Sequence, residues 1–188
     1  MQNRRNNSVM TTLAAGFRIA LLCLVASATA HAEEVVKGTF ELIDHQGQVV
    51  TERSFDGKLR LVFFGFTRCP DICPTTLFEI ARVMRNLGDD AANVQPIFIS
   101  VDVENDTPEI LARYVAAFHP AMVGLTGSRQ QLDAVAASFN VTYGVEPATD
   151  SVYHSSYLFL MDRQGRFLDL FGYGVRAATI EGRLREYF

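Results

Sequence analysis

Two cysteines, Cys69 and Cys73, stand four residues apart in the run Phe63-Phe64-Gly65-Phe66-Thr67-Arg68-Cys69-Pro70-Asp71-Ile72-Cys73-Pro74-Thr75-Thr76. An apolar strand pattern leads into the first, and a helical pattern opens at the second. A helix beginning near Asp71 puts Cys73 in its first turn and Cys69 just before it. Both sulfurs then meet the unpaired N–H groups and positive dipole end of that helix, which favour thiolates. Pro74 costs little so early in a helix, because its missing N–H would be unbonded anyway. Two chemistries suit such a pair. One is soft-metal binding. The other is thiol–disulfide exchange, which needs one attacking thiolate and one resolving thiol. A purely structural disulfide is a weak reading, because it would close a very short loop and gain little loop entropy, and a peroxidase is weaker still. A peroxidase would need one specially activated sulfur, and nothing in the sequence marks one.

The three residues between the cysteines leave the sulfurs free to converge on one ion. Two thiolates select Cu(I), and Zn also fits. A third ligand would be an imidazole, from His45, His119 or His154. His154 lies in Ser151-Val152-Tyr153-His154-Ser155-Ser156, on a loop entering a strand expected beside the cysteine-bearing one. His119 follows Phe118 at the end of a helix, where the dipole already satisfies it. His45 sits in a hairpin turn and reads as solvated. Asp71 either tunes the thiolates and engages a partner or simply complements the helix N-terminus. Arg68 reads as a surface residue able to steer an acidic partner. Asp102 to Asp106 read as a solvated loop.

The elements that must position these residues follow from pattern. Thr39–Ile43 and Gln48–Thr51 flank Asp44-His45-Gln46-Gly47, a β-hairpin signal. Leu59–Phe66 is nearly all apolar, as a strand covered on both faces should be, and Gly65 gives close backbone approach just before the cysteines. Leu77, Ile80, Ala81, Met84 and Leu87 repeat at helical spacing until Gly88. Val94–Asp102 is a second buried strand, with Pro96 breaking it near its start. Thr107-Pro108-Glu109 opens a helix carrying Ile110, Leu111, Tyr114, Val115 and Phe118. Met122–Leu125 is a short strand. Ser128 with Gln131 forms a capping box for a helix lined by Leu132, Val135, Ala136 and Phe139. Ser156–Met161 and Arg166–Phe171 flank Asp162-Arg163-Gln164-Gly165 as another hairpin, and a last helix runs from about Ala177 to Tyr187. Strands alternating with helices predict an α/β fold: a thioredoxin-like mixed sheet flanked by helices, with an extra N-terminal β-hairpin and the site at the carboxyl end of the first central strand.

The first 32 residues read as a secretory signal peptide. Arg4, Arg5 and Arg18 precede the apolar run Ile19–Ala26, and Ala30-His31-Ala32 supplies a small-residue cleavage site. The run is too short and interrupted for a membrane span. Cys23 follows the bulky Leu22, which argues against lipidation. The Arg4-Arg5 pair is a weak twin-arginine signal. Residues 33–188 then form the mature domain. Cleavage removes three arginines and no acids, taking the net charge from −4 to −7, and leaves Cys69 and Cys73 as the only cysteines. That acidity, with no basic face, excludes a nucleic-acid partner.

The cysteine run resembles the signature of the Sco/SenC copper proteins. So do Ile99-Ser100-Val101-Asp102 with Asp106-Thr107-Pro108-Glu109, Gly124-Leu125-Thr126-Gly127-Ser128, and His154-Ser155 with Leu160-Met161-Asp162 and Gly165. The resemblance implies a thioredoxin-like fold and copper bound by Cys69, Cys73 and His154. It implies a periplasmic copper chaperone for the binuclear copper centre of cytochrome c oxidase. The partner would be the copper-bearing oxidase subunit or another periplasmic copper protein. The alternative is a thiol–disulfide oxidoreductase in which Cys69 and Cys73 are catalytic, reducing the copper-site cysteines or serving redox signalling. Enzymatic activity is implied only on that alternative. Membrane association is implied only if the leader is retained as an inner-membrane anchor. The family usually has Asp where this chain has Tyr153, directly before His154.

Overall fold

A computed structural model of the chain describes residues 36–148 and 151–188. The expected leader, its Ala30-His31-Ala32 site and Cys23 lie outside the described residues. The organising strand is β3 (Leu59–Gly65), with all seven residues buried. It pairs in parallel with β4 (Val94–Ser100), which pairs in parallel with β5 (Val123–Thr126). The hairpin β1 (Glu41–Asp44) and β2 (Val49–Thr51) docks antiparallel on β5. On the other side, β8 (Leu158–Met161) pairs antiparallel with β3, and β9 (Phe167–Phe171) follows it through Gly165, whose φ of 81° suits a residue without Cβ. The seven strands run β2-β1-β5-β4-β3-β8-β9. The mixed sheet and its N-terminal hairpin are the arrangement the sequence predicts.

Alternation along β3 builds two cores. Leu59, Leu61 and Phe63 face α1 (Ile72–Leu87), α2 (Pro108–Ala116) and α4 (Ala177–Arg185). Val62 and Phe64 face Phe40, Leu42 and α3 (Arg129–Phe139). The predicted stripe of α1, from Leu77 to Leu87, is buried throughout. Gly88 ends that helix at φ 56°, and the Ser128–Gln131 capping box is formed. Among the described residues no helix is long and apolar enough to cross a membrane.

Four expectations need correction. Pro96 does not break β4: it sits in register opposite Leu61, while the Gln95 side-chain amide donates to the Pro96 and Ala121 carbonyls. The apolar run of β3 hides a buried arginine, Arg60, whose guanidinium is held by Asp56 and the Phe55 carbonyl. His45 is half-buried rather than solvated, and its Nδ1 accepts the Gly124 N–H at 3.1 Å. The stretch before His154 is no simple loop. A second, two-stranded sheet, β6 (Tyr143–Glu146) with β7 (Ser151–His154), ends on that histidine.

Candidate metal and thiol centre

The site begins where β3 ends. Gly65 pairs with Ser100, and its carbonyl accepts the Val101 N–H at 2.8 Å, so the strand end is fixed. A Cβ on Gly65 would lie 2.8 Å from Cys73 Sγ and 2.7 Å from a Phe98 ring carbon. Only a residue without a side chain lets the Cys73 sulfur settle against the strand. After Gly65 the chain turns, with the Cys69 N–H donating to the Phe66 carbonyl at 3.2 Å. Asp71 stands at the N-cap position of α1 and is exposed; its carboxylate accepts the Thr75 hydroxyl and no backbone N–H of the first turn. Cys73 falls in the first turn, as the spacing predicts, and its N–H points at Cys69 Sγ, 3.5 Å away. Both cysteines are free of a disulfide; Cys69 is half-buried and Cys73 fully buried.

His154 arrives from β7, 81 residues away in sequence, and its Nε2 stands 3.7 Å from Cys73 Sγ. Its Nδ1 lies 3.0 Å from the Ser155 carbonyl. A carbonyl can only accept, so Nδ1 carries the proton and the Nε2 lone pair faces the thiol. Phe63 and Phe66 stand edge-on to the imidazole, at 6.1 and 5.9 Å between centroids. They pack the ring against the apolar core below α1. Burial consequently holds the His154 pKa below its ordinary value and drives the Cys73 thiol far above its own. The resting pair is a neutral thiol against a neutral imidazole. Among the described residues no three His, Cys, Asp or Glu side chains already surround one metal position.

Behind the cysteine turn lies a polar clamp. Asp106 is fully buried; it accepts the Thr67 N–H at 3.0 Å, the Thr67 hydroxyl at 2.5 Å and the Ser100 hydroxyl at 2.6 Å. Asp102 is also buried; it accepts both the Nε and Nη2 hydrogens of Arg68 and the Asn105 amide. The expected solvated loop from Asp102 to Asp106 is therefore half a clamp on the two residues before Cys69. Short acidic segments after a strand are normally exposed.

The structure places Cys73 next to each of the other two candidates: its N–H is 3.5 Å from Cys69 Sγ and its Sγ is 3.7 Å from His154 Nε2. It keeps the other histidines away: His45 is used by Gly124, and His119 Nδ1 accepts the Ala121 N–H at 3.2 Å. His119 lies beyond the end of α2. Its pKa is lowered by burial and by Arg85, so the helix end does not favour its charged form as expected. Tyr153 is exposed and lies across Gly144 in the small hairpin.

A protein-family model described as SCO1/SenC matches residues 28–188. The mitochondrial SCO2 homolog of Bos taurus is 40% identical over 159 residues, which is 81% of this chain and 60% of that protein. The chain thus spans less than two thirds of that relative's length. The solved structure of Bradyrhizobium japonicum ScoI with copper bound is 40% identical, with a TM-score of 0.75 over 81% of this chain and 99% of that one. BsSco, described as a member of the Sco family of cytochrome c oxidase assembly proteins with a disulfide switch, is 27% identical, with a TM-score of 0.66 over 81% of this chain and 93% of that one.

Proposed function

The chain belongs to the SCO1/SenC family, and on that premise we propose that it is an exported copper-binding protein that helps assemble the copper centre of cytochrome c oxidase. The ligands we assign are Cys69, Cys73 and His154. The observation that carries the assignment is the 3.7 Å separation of Cys73 Sγ and His154 Nε2. Bonds of about 2.3 Å to sulfur and 2.0 Å to nitrogen place two donors about 3.5 Å apart at a tetrahedral angle and about 3.7 Å apart at a trigonal one. The pair is already spaced as two ligands of one ion.

The donor set fits copper: two soft thiols and an imidazole with its lone pair turned inward. The Ser155 carbonyl fixes the tautomer, the usual task of a partner behind a ligating histidine. Held there, copper supplies a soft cation that a thiolate acceptor can draw away by ligand exchange. The protein's own part is to keep Cys73 dry and protonated until loading displaces its proton. Cys69, half-buried where Cys73 is fully buried, is the ligand an acceptor reaches first. The acceptor we infer is the copper-bearing subunit of the oxidase or another periplasmic copper protein. Cleavage near Ala32 would release the domain into the periplasm.

Competition titration of the reduced protein with Cu(I) against a chromophoric chelator tests the reading. One equivalent should bind, and His154→Ala and Cys73→Ser should each weaken it at least 10-fold. Unchanged binding in His154→Ala sinks the three-ligand assignment. A second reading, thiol–disulfide exchange, is favoured by the free Cys69 and Cys73 meeting at the start of α1. Turnover of a disulfide peptide by the metal-free protein, lost in Cys69→Ser, would support it.

A further inference from the structure

The ribbon that carries His154 departs from a regular ladder at one rung, and the departure falls beside the imidazole. Tyr143 and His154 are the end pair of β6 and β7, and Thr142 and Ser155 stand opposite one another one residue beyond. Two residues bonded across an antiparallel pair normally exchange both backbone bonds, each N–H going to the other's carbonyl. One of the two is made here: the Ser155 N–H donates to the Thr142 carbonyl at 2.8 Å. The other is replaced. The Thr142 N–H donates at 3.1 Å to the Ser155 side-chain hydroxyl, where the ladder would have used the Ser155 carbonyl.

The carbonyl released in this way has another use. It stands 3.0 Å from His154 Nδ1 and accepts the ring N–H. The hydroxyl is held to its task from the other side, because it donates to the Thr142 carbonyl at 3.3 Å. Its lone pairs are then left for the Thr142 N–H. Serine hydroxyls commonly compete with the backbone for ladder bonds. Here the competition satisfies the rung and leaves the Ser155 carbonyl to the imidazole alone.

We propose that Ser155 is a positioning residue for His154: its hydroxyl takes the place of its own carbonyl in the ribbon, so that the carbonyl is free to orient the imidazole. The consequence for metal binding rests on the reading of His154 as a ligand. Ser155→Ala removes the stand-in. The Thr142 N–H then turns to the acceptor remaining at that rung, the carbonyl, and draws it off the ring. Ser155→Thr keeps a hydroxyl and keeps the arrangement. Partners behind a ligating histidine are worth about 10- to 100-fold in metal affinity.

The two variants test it in the full chain, with Cu(I) alone as the metal probe. In the metal-free protein, a long-range proton–nitrogen NMR spectrum recorded with the ring neutral reports which nitrogen of His154 carries the proton. Nδ1 alone is expected in wild type and Ser155→Thr, and a mixture of the two nitrogens in Ser155→Ala. In Cu(I) competition, Ser155→Ala should bind about 10-fold more weakly and Ser155→Thr within about 2-fold of wild type. Tyr143→Phe loosens the ribbon by another route, losing the contact to Asp133 while the rung stays intact, and should keep the Nδ1 form. A single Nδ1 form in Ser155→Ala overturns the proposal, as does wild-type Cu(I) affinity in that variant. A loss in Ser155→Thr equal to that in Ser155→Ala, or mixed forms in Tyr143→Phe, overturns it too, since the hydroxyl would then have no special part. Failure of wild type to bind Cu(I), or binding unchanged in His154→Ala, defeats the metal reading instead, and the imidazole spectrum still decides the role of Ser155.

Discussion

Replacing Gly65 by alanine adds one methyl group where the strand meets the Cys73 sulfur and leaves no space for it. Its Cβ would sit 2.8 Å from Cys73 Sγ, 2.7 Å from a Phe98 carbon and 3.3 Å from a Phe63 carbon. Ordinary contact is about 3.5–4.0 Å, so the sulfur and the Phe98 ring must each retreat by about 1 Å. Neither has room, because Cys73, Phe98 and Phe63 are all at 0% exposure. The backbone cannot yield either, being paired with Ser100 and bonded to Val101. Overpacking of this kind costs about 1–3 kcal/mol. For a chain of this size that lowers the melting temperature by about 3–10 °C. The same displacement alters the 3.7 Å spacing from Cys73 Sγ to His154 Nε2, and a ligand moved by about 1 Å should lower Cu(I) affinity by about 100-fold. Calorimetry of the apo protein and Cu(I) competition read the two effects separately. A variant that melts within about 1 °C of wild type and binds Cu(I) equally well would refute the claim that Gly65 exists to seat the sulfur.

Asp106→Ala strips the acceptor from three donors, two on half-buried Thr67 and one on buried Ser100, and should destabilise the fold by about 2–4 kcal/mol in urea titration. Freed of its clamp, the turn should also alkylate faster at Cys69, read by mass spectrometry. Stability should fall on the alkaline side. The folded Cys73 thiol is raised above the value near 9.0 of an open thiol, so above that pH the unfolded chain loses a proton that the native state keeps. Stability is then lost at up to ~1.4 kcal/mol per pH unit, and Cys73→Ala should remove the slope. On the acid side the sign is set by His154. Its folded pKa lies below the ordinary 6.5, so as the pH falls through that value the unfolded chain takes up a proton that the native state refuses. Stability drops there too, and His154→Gln should flatten that limb of the melting curve.

The corner itself was legible because several local rules coincide there. An all-apolar run, a glycine, a cysteine pair and a helical stripe each point to the same strand-to-helix turn, and each is found as expected. The hairpin ending at Phe171 was legible for a similar reason: Asp162 to Gly165 carry the right turn chemistry, with Asp162 accepting the Gln164 and Arg166 N–H groups at 2.8 Å. What escaped was long-range. The strand β7 reads Ser-Val-Tyr-His; it alternates inward and outward but carries only one aliphatic residue, so little in the sequence distinguishes it from loop. Its partner β6 interrupts itself with Gly144 and stops just before Pro147. Asp106 and Arg60 are buried because partners reach them from elsewhere: Thr67 from 39 residues away for the first, and the turn at Asp56 for the second. Charged residues read as exposed until such partners are known. Pro96 reads as a breaker until the Gln95 amide is seen bridging beside it.

The two-sheet construction divides the centre by durability. Cys73 is seated against β3, whose amides lie in the middle of a seven-stranded sheet buried on both faces. Such amides exchange with deuterium only when the whole domain unfolds. His154 hangs on a two-stranded ribbon, which has little stability of its own. Its own ladder continues one rung further, in paired bonds between Thr142 and Ser155, and the Tyr143–Asp133 contact ties it to α3. Its amides should exchange through local opening, orders of magnitude sooner. The centre is therefore half anvil and half latch: the sulfur side keeps its shape through every fluctuation short of unfolding, while the imidazole side can lift and return without disturbing the sheet beneath it.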